Sequence, residues 1–147
     1  MFLSHFQHNL DDKGRLMIPS RFRDLLAGSN AFITQGFDKC LMVMPESYFK
    51  QVYERIEAMN LADPTARLLR RLLLANAYPV EVDKVGRILV PQNLRSFIQI
   101  DGEAIVAGQG EYFEVWRPAE WNEQMAQLQD AEANNARFST LDLSSKS

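Results

Sequence analysis

A stretch of 13 residues recurs in this chain, and the recurrence restricts the fold more than any other property of the sequence. Asp11-Asp12-Lys13-Gly14-Arg15-Leu16-Met17-Ile18-Pro19-Ser20-Arg21-Phe22-Arg23 returns 72 residues later as Asp83-Lys84-Val85-Gly86-Arg87-Ile88-Leu89-Val90-Pro91-Gln92-Asn93-Leu94-Arg95. The Asp, the Gly, both Arg and the Pro are identical, where ordinary residue frequencies give about one chance match. Positions 16, 17, 18 and 22 are apolar in both copies. Similarity continues from Phe32-Ile33-Thr34-Gln35-Gly36 to Ala104-Ile105-Val106-Ala107-Gly108. After a one-residue slip it runs from Met42-Val43-Met44-Pro45 to Val115-Trp116-Arg117-Pro118, with Tyr48 matched to Trp121. Each copy predicts a strand, a tight turn, a short apolar strand, a helix of one or two turns after the proline, and two further strands ending at a second proline.

Local chemistry fits that reading. Gly14 and Gly86 each follow an Asp by three residues, where the carboxylate can cap backbone N–H groups and Gly can take φ > 0 in a turn. Pro19 and Pro91 close the apolar triplets, because Pro cannot donate to a sheet ladder yet suits the first turn of a helix. Gly28 is placed to end the first such helix. Two helices are predicted between the copies. Glu46 to Met59 sets Phe49, Val52, Tyr53, Ile56 and Met59 on one face. Asp63 caps a second helix that begins at Pro64, carries Leu68, Leu69, Leu72 and Leu73, and runs to about Ala77. From Glu120 onward Trp121, Met125 and Leu128 fall at helical spacing, and from about Asn134 the chain is polar and expected to fray.

Composition is that of a globular protein, with 46% apolar and 24% charged residues. A lone cysteine, Cys40, forms no internal disulfide, and without a His partner or a basic run it reads as a buried structural thiol. Neither a targeting peptide nor a run of about 20 apolar residues is present, which predicts a soluble cytoplasmic protein without membrane contact. The net charge of −3 argues at first against nucleic acid, but it is unevenly spread. Residues 1–100 hold 13 Lys/Arg against 10 Asp/Glu, whereas residues 101–147 hold 3 against 9. A local basic face is therefore compatible with the sequence.

The two Asp-x-x-Gly-Arg turns, each leading into an apolar triplet and Pro, resemble the AbrB-like (SpoVT-AbrB) DNA-binding module. Two such modules in one chain of this length resemble the MraZ family of bacterial regulators. The resemblance covers the chain to about residue 130. It implies an α+β, β-rich fold in which both modules complete one swapped-hairpin-type β-barrel as an intrachain pseudo-dimer with peripheral helices. The corresponding boundaries are 5–47 for the first module, 48–75 for a helical linker, 76–119 for the second module, and 120–147 for a C-terminal helix and polar tail. It further implies a nucleoid-associated repressor of its own operon in the division and cell wall gene cluster, bound to promoter direct repeats as a ring-forming homo-oligomer. No cofactor, metal or small-molecule substrate is implied.

Arg15 and Arg87 lead the candidate DNA contacts, because a guanidinium projecting from a hairpin end can donate two parallel hydrogen bonds to guanine O6 and N7 or clamp a phosphate. The bland alternative is a structural Arg paired with the Asp four residues earlier. Arg23 and Arg95 match a basic position that AbrB-like modules use on DNA, against a solvated helix face. Lys13 and Arg21 are weaker candidates for phosphate contacts, present only in the first copy, where the second has Val85 and Asn93. Asp11 and Asp83, with Gly14 and Gly86, are expected to shape the turns. His5 and His8 have helical metal-ligand spacing but fall in a strand, so surface or barrel histidines are expected rather than ligands. Arg67, Arg70 and Arg71 are first assigned to subunit contacts with acidic neighbours. No triplet of nucleophile, base and orienting group is apparent, which disfavours a double-psi-barrel enzyme. The other rival is an interaction scaffold using the apolar helices, with the Arg turns merely structural.

Overall fold

The computed structural model describes residues 1–144 and places the two copies inside each other. The first copy supplies β1 (His5–Asn9), β2 (Arg15–Met17), α1 (Ser20–Leu26), β3 (Ala31–Gln35) and β4 (Cys40–Pro45). A linker follows with α2 (Glu46–Glu57), α3 (Pro64–Arg70) and a π-helical turn, Arg71–Ala75. The second copy gives β5 (Tyr78–Val80), β6 (Arg87–Leu89), α4 (Gln92–Ile98), β7 (Glu103–Gly108) and β8 (Phe113–Trp116), and the chain ends in α5 (Pro118–Gln127) and α6 (Ala131–Phe138). The linker helix begins as its sequence dictates, with the Asp63 carboxylate accepting from Thr65 N at 2.9 Å and Pro64 in the first turn.

Only two strand pairs are local. Hairpins β3–β4 and β7–β8 each form within one copy, and every other pairing crosses between copies. The six-stranded antiparallel sheet has the order β1-β7-β8-β4-β3-β5. Thus β1 pairs with β7, β5 with β3, and the two hairpins join through β4–β8. The remaining strands, β2 and β6, form a separate antiparallel ribbon with Leu16 opposite Ile88. The sheet is open, with β1 and β5 at its edges.

The core lies where the copies meet. Leu16, Ile18, Phe22 and Leu26 from the first copy pack with Ile88, Val90, Leu94 and Ile98 from the second, all buried. Phe22 anchors this cluster, with ring centroids of Phe2 and Phe113 each 5.1 Å away. Its truncation to Ala would cost about 3–5 kcal/mol on the usual scale for a buried aromatic.

Two sequence expectations change. The chain does not fray from Asn134: Asp130 accepts from Ala133 N at 3.1 Å and caps α6, which runs to Phe138. The remainder of that expectation, residues 145–147, lies outside the described residues. The helix begun at Pro64 changes to a π turn at Arg71 rather than staying regular to Ala77. On the linker, Arg70 pairs with Glu57 at 2.6 Å and Arg67 donates to the carbonyls of Leu61 and Ala62.

Candidate nucleic-acid interface

Each Asp-Gly-Arg turn is built by one carboxylate. Oδ1 of Asp11 accepts from the backbone N–H groups of Lys13 (3.0 Å) and Arg15 (2.9 Å), while Oδ2 accepts from Arg15 Nε at 2.7 Å. Oδ1 of Asp83 accepts from Val85 N, Gly86 N and Arg87 N, each at 2.9 Å, and Oδ2 from Arg87 Nε at 3.0 Å. Backbone donors hold both carboxyls below the usual carboxylate range, with the Arg side chains adding to the effect. The structural Asp–Arg pair foreseen as the bland alternative is thus present in both turns. Because it uses Nε, the Nη1 and Nη2 edge of Arg15 keeps no hydrogen-bond partner among the described residues. Orientation by Asp and an outward-facing donor edge coexist.

The turns are also braced across the copies. Ile18 N donates to Gly86 O at 3.0 Å and Val90 N to Gly14 O at 2.8 Å, which extends the β2–β6 ribbon to both tips. Arg95 of the second copy lies over Gly14 of the first, where an added Cβ would come within 2.5 Å of Arg95 Cζ. Reciprocally, Arg23 lies over Gly86, and an added Cβ would collide with Arg23 Nη1. The Nε atoms of Arg23 and Arg95 are buried there without a hydrogen-bond partner. Glycine is therefore needed twice, for φ values of +86° and +97° and for this close approach. Spacing within one copy signalled the first need; the second arises between copies and had no local signal.

The two ends of the ribbon differ. Arg87 Nη1 also reaches Asp11 Oδ2 at 3.6 Å, and the side chain of Arg87 is 25% exposed against 36% for Arg15. Lys13 and Arg21 are exposed. Arg21 and Arg23 line a groove of about 610 Å³ with Met17 and His8, and burial together with Arg23 holds the His8 pKa down. Beside Arg95, the groove is lined instead by Asp12 and Asp101. Phosphate would meet a basic groove on one side and an acidic one on the other.

Strand alternation sorts the ribbon's side chains. Leu16 and Ile88 are fully buried, so Arg15, Met17, Arg87 and Leu89 share the outward face. Leu89 on that face carries no charge to mark it in the sequence, although the alternation in Arg87-Ile88-Leu89 places it beside the arginines. His5 and His8 lie in β1 as expected, the His5 ring packing at a tilt against Trp121 with centroids 5.1 Å apart. Among the described residues no group of three or more His, Cys, Asp or Glu is placed to hold a metal ion, and no helix is long and apolar enough to cross a membrane. Cys40 is buried, its thiol donating to Glu114 Oε2 at 3.5 Å, and burial raises its pKa.

Comparison with known proteins agrees with the duplication. The family described as MraZ protein, antitoxin-like, matches the chain twice, over residues 1–72 and 73–143. The transcriptional regulator MraZ of Thermomicrobium roseum is 43% identical over 143 residues, 96% of this chain and 99% of the relative. That of Roseiflexus sp. (strain RS-1) is 42% identical over 134 residues, 91% of this chain and 92% of the relative. That of Desulforamulus reducens is 40% identical over 129 residues, 88% and 90%.

Proposed function

The chain belongs to the MraZ family, and from that premise we propose that it is a transcriptional regulator, not an enzyme, that acts by direct sequence-specific contact with DNA. The observation that carries this reading is the convergence of Arg15 and Arg87 on one rigidly braced two-stranded ribbon. A two-stranded β-ribbon fits the major groove, and a guanidinium aimed from its face matches guanine O6 and N7. Arg15 and Arg87 read bases, Lys13 and Arg21 hold phosphate, and Arg23 and Arg95 support the opposite turn while adding positive charge behind it.

The crossed pairings β1–β7 and β3–β5 support an intrachain version of a swapped-hairpin barrel, in which the ribbon and helices α1 and α4 cover the open sheet's core face. Resemblance to the family supplies the finer terms. The regulator represses its own operon in the division and cell wall gene cluster, occupies promoter direct repeats as a ring-forming homo-oligomer, and resides in the cytoplasm on the nucleoid. Leu61 and Leu68, 61% and 64% exposed on the linker, suit contacts between subunits.

The test is a footprint on the DNA upstream of the protein's own gene, with binding measured across a salt series. Protection of a discrete segment, with affinity falling steeply as salt rises, is expected. Absence of any salt-dependent binding to that segment would favour the scaffold reading.

A further inference from the structure

The outward face of the ribbon contains an apolar side chain that the core does not need. Leu89 is 56% exposed and lies directly opposite Arg15. The ladder bonds from Ile18 to Gly86 and from Val90 to Gly14 define the bonded pairs, which makes Arg15–Leu89 and Met17–Arg87 the non-bonded ones. Side chains approach most closely at such positions, with Cβ atoms about 4.5–5.5 Å apart. Arg15 and Leu89 therefore leave the ribbon together as one cation and one isobutyl group.

Base pairs in a duplex follow one another at about 3.4 Å, so the two side chains span neighbouring base pairs if the ribbon lies in the major groove. The feature there that an isobutyl group can recognise is the C5-methyl of thymine. We propose that Leu89 is a specificity residue that packs against a thymine methyl within one or two base pairs of the guanine read by Arg15. The inference rests on the DNA-contact reading above. It also assigns different tasks to the two ends, because Met17, the partner of Arg87, is half-buried and turned into the groove beside Arg21. On the outward strand face the Arg15 position presents cation and apolar group together, whereas the Arg87 position presents chiefly the cation, with the exposed Val85 lying in the turn beyond it.

Replacing single thymines of the footprinted duplex by deoxyuridine removes the methyl and nothing else. Titrated at one salt concentration with the full chain, wild type should lose about three- to fivefold in affinity at one or two thymines next to the guanine that Arg15→Ala ceases to read, the worth of one buried methyl. Leu89→Ala should bind the unmodified duplex more weakly and be indifferent to deoxyuridine at those positions. Leu89→Met, which restores apolar bulk, should regain sensitivity. Folding of each variant is verified by its thermal midpoint, which an exposed position should leave in place. Indifference of wild type to every exchange, with Arg15→Ala still weakened, overturns the methyl contact alone. Equal sensitivity of Leu89→Ala and wild type overturns the assignment to Leu89. Failure of wild type to bind the segment at all overturns the parent reading and this one with it.

Discussion

At Gly14 the backbone takes φ of +86°, and the space a Cβ would fill is held by the Arg95 guanidinium. Gly14→Ala must therefore adopt a left-handed conformation and displace Arg95, for a combined loss of about 1–3 kcal/mol. Gly28 has φ of +72° but nothing within 4 Å of an added Cβ, so Gly28→Ala should show the smaller loss. Urea unfolding of both variants checks the order, and equal losses would refute the steric part of the argument. The arginines invite a matched pair of substitutions. Arg15 has no partner on its Nη edge among the described residues and follows Lys13 in its turn, whereas Arg87, on the end with Arg21 and Arg23, is drawn toward both Asp83 and Asp11. Arg15→Ala and Arg87→Ala should each leave the fold intact and weaken specific binding by about 1–3 kcal/mol per module engaged, with Arg15 the larger. Equal losses at one salt concentration would contradict the inference from the restraint of Arg87 by two carboxylates.

The elements that sequence made legible are those whose causes are local. Asp11 and Asp83 capping three-residue turns, Pro19 and Pro91 opening short helices, and Asp63 with Pro64 starting α3 are all readable from neighbours in the chain. What escaped reading depends on partners far away in sequence. The repeat would place Tyr78 opposite Thr34, yet it faces Ile33, and the buried Thr34 hydroxyl instead donates to Leu73 O in the π turn at 2.7 Å. Arg23 and Arg95 were readable as basic positions, but their seats over each other's glycine depend on the crossing of the copies. At the β4–β8 junction, burial raises the pKa of Glu114, which accepts from Trp116 Nε1 at 3.0 Å and Gln109 Nε2 at 3.1 Å. A carboxyl raised in the folded state contributes stability fully present below its unfolded pKa and lost as pH rises through the folded value. Glu114→Gln keeps an acceptor oxygen and cannot ionise. The stability difference between wild type and Glu114→Gln should therefore move against wild type as pH rises from about 4 through neutrality, in urea midpoints measured at each pH. A difference constant over that window would show that Glu114 does not titrate as its burial demands.

For the whole molecule, the crossing of copies bears on how DNA would be held under the proposed function. Because β2 and β6 form one ribbon, the chain presents a single reading head rather than two, and only a few cations accompany it on a chain of net charge −3. One protomer should bind weakly at physiological salt, since affinity for DNA grows with the number of phosphates neutralised. Joining protomers raises the effective concentration of every later contact, and a cyclic assembly places identical ribbons at regular intervals along one rim. Regular intervals on the protein require regular intervals on the DNA, with successive sites facing the same side of the duplex about one helical turn apart. Inserting about five base pairs between repeats rotates one site to the far side, whereas inserting about ten restores its facing at the cost of a longer span. Binding titrations on such duplexes should show a far greater loss for the half-turn insertion than for the full turn. Equal losses, or a monomeric variant that binds as tightly as the assembly, would leave the arginine assignments standing and remove the multivalent mechanism built on them.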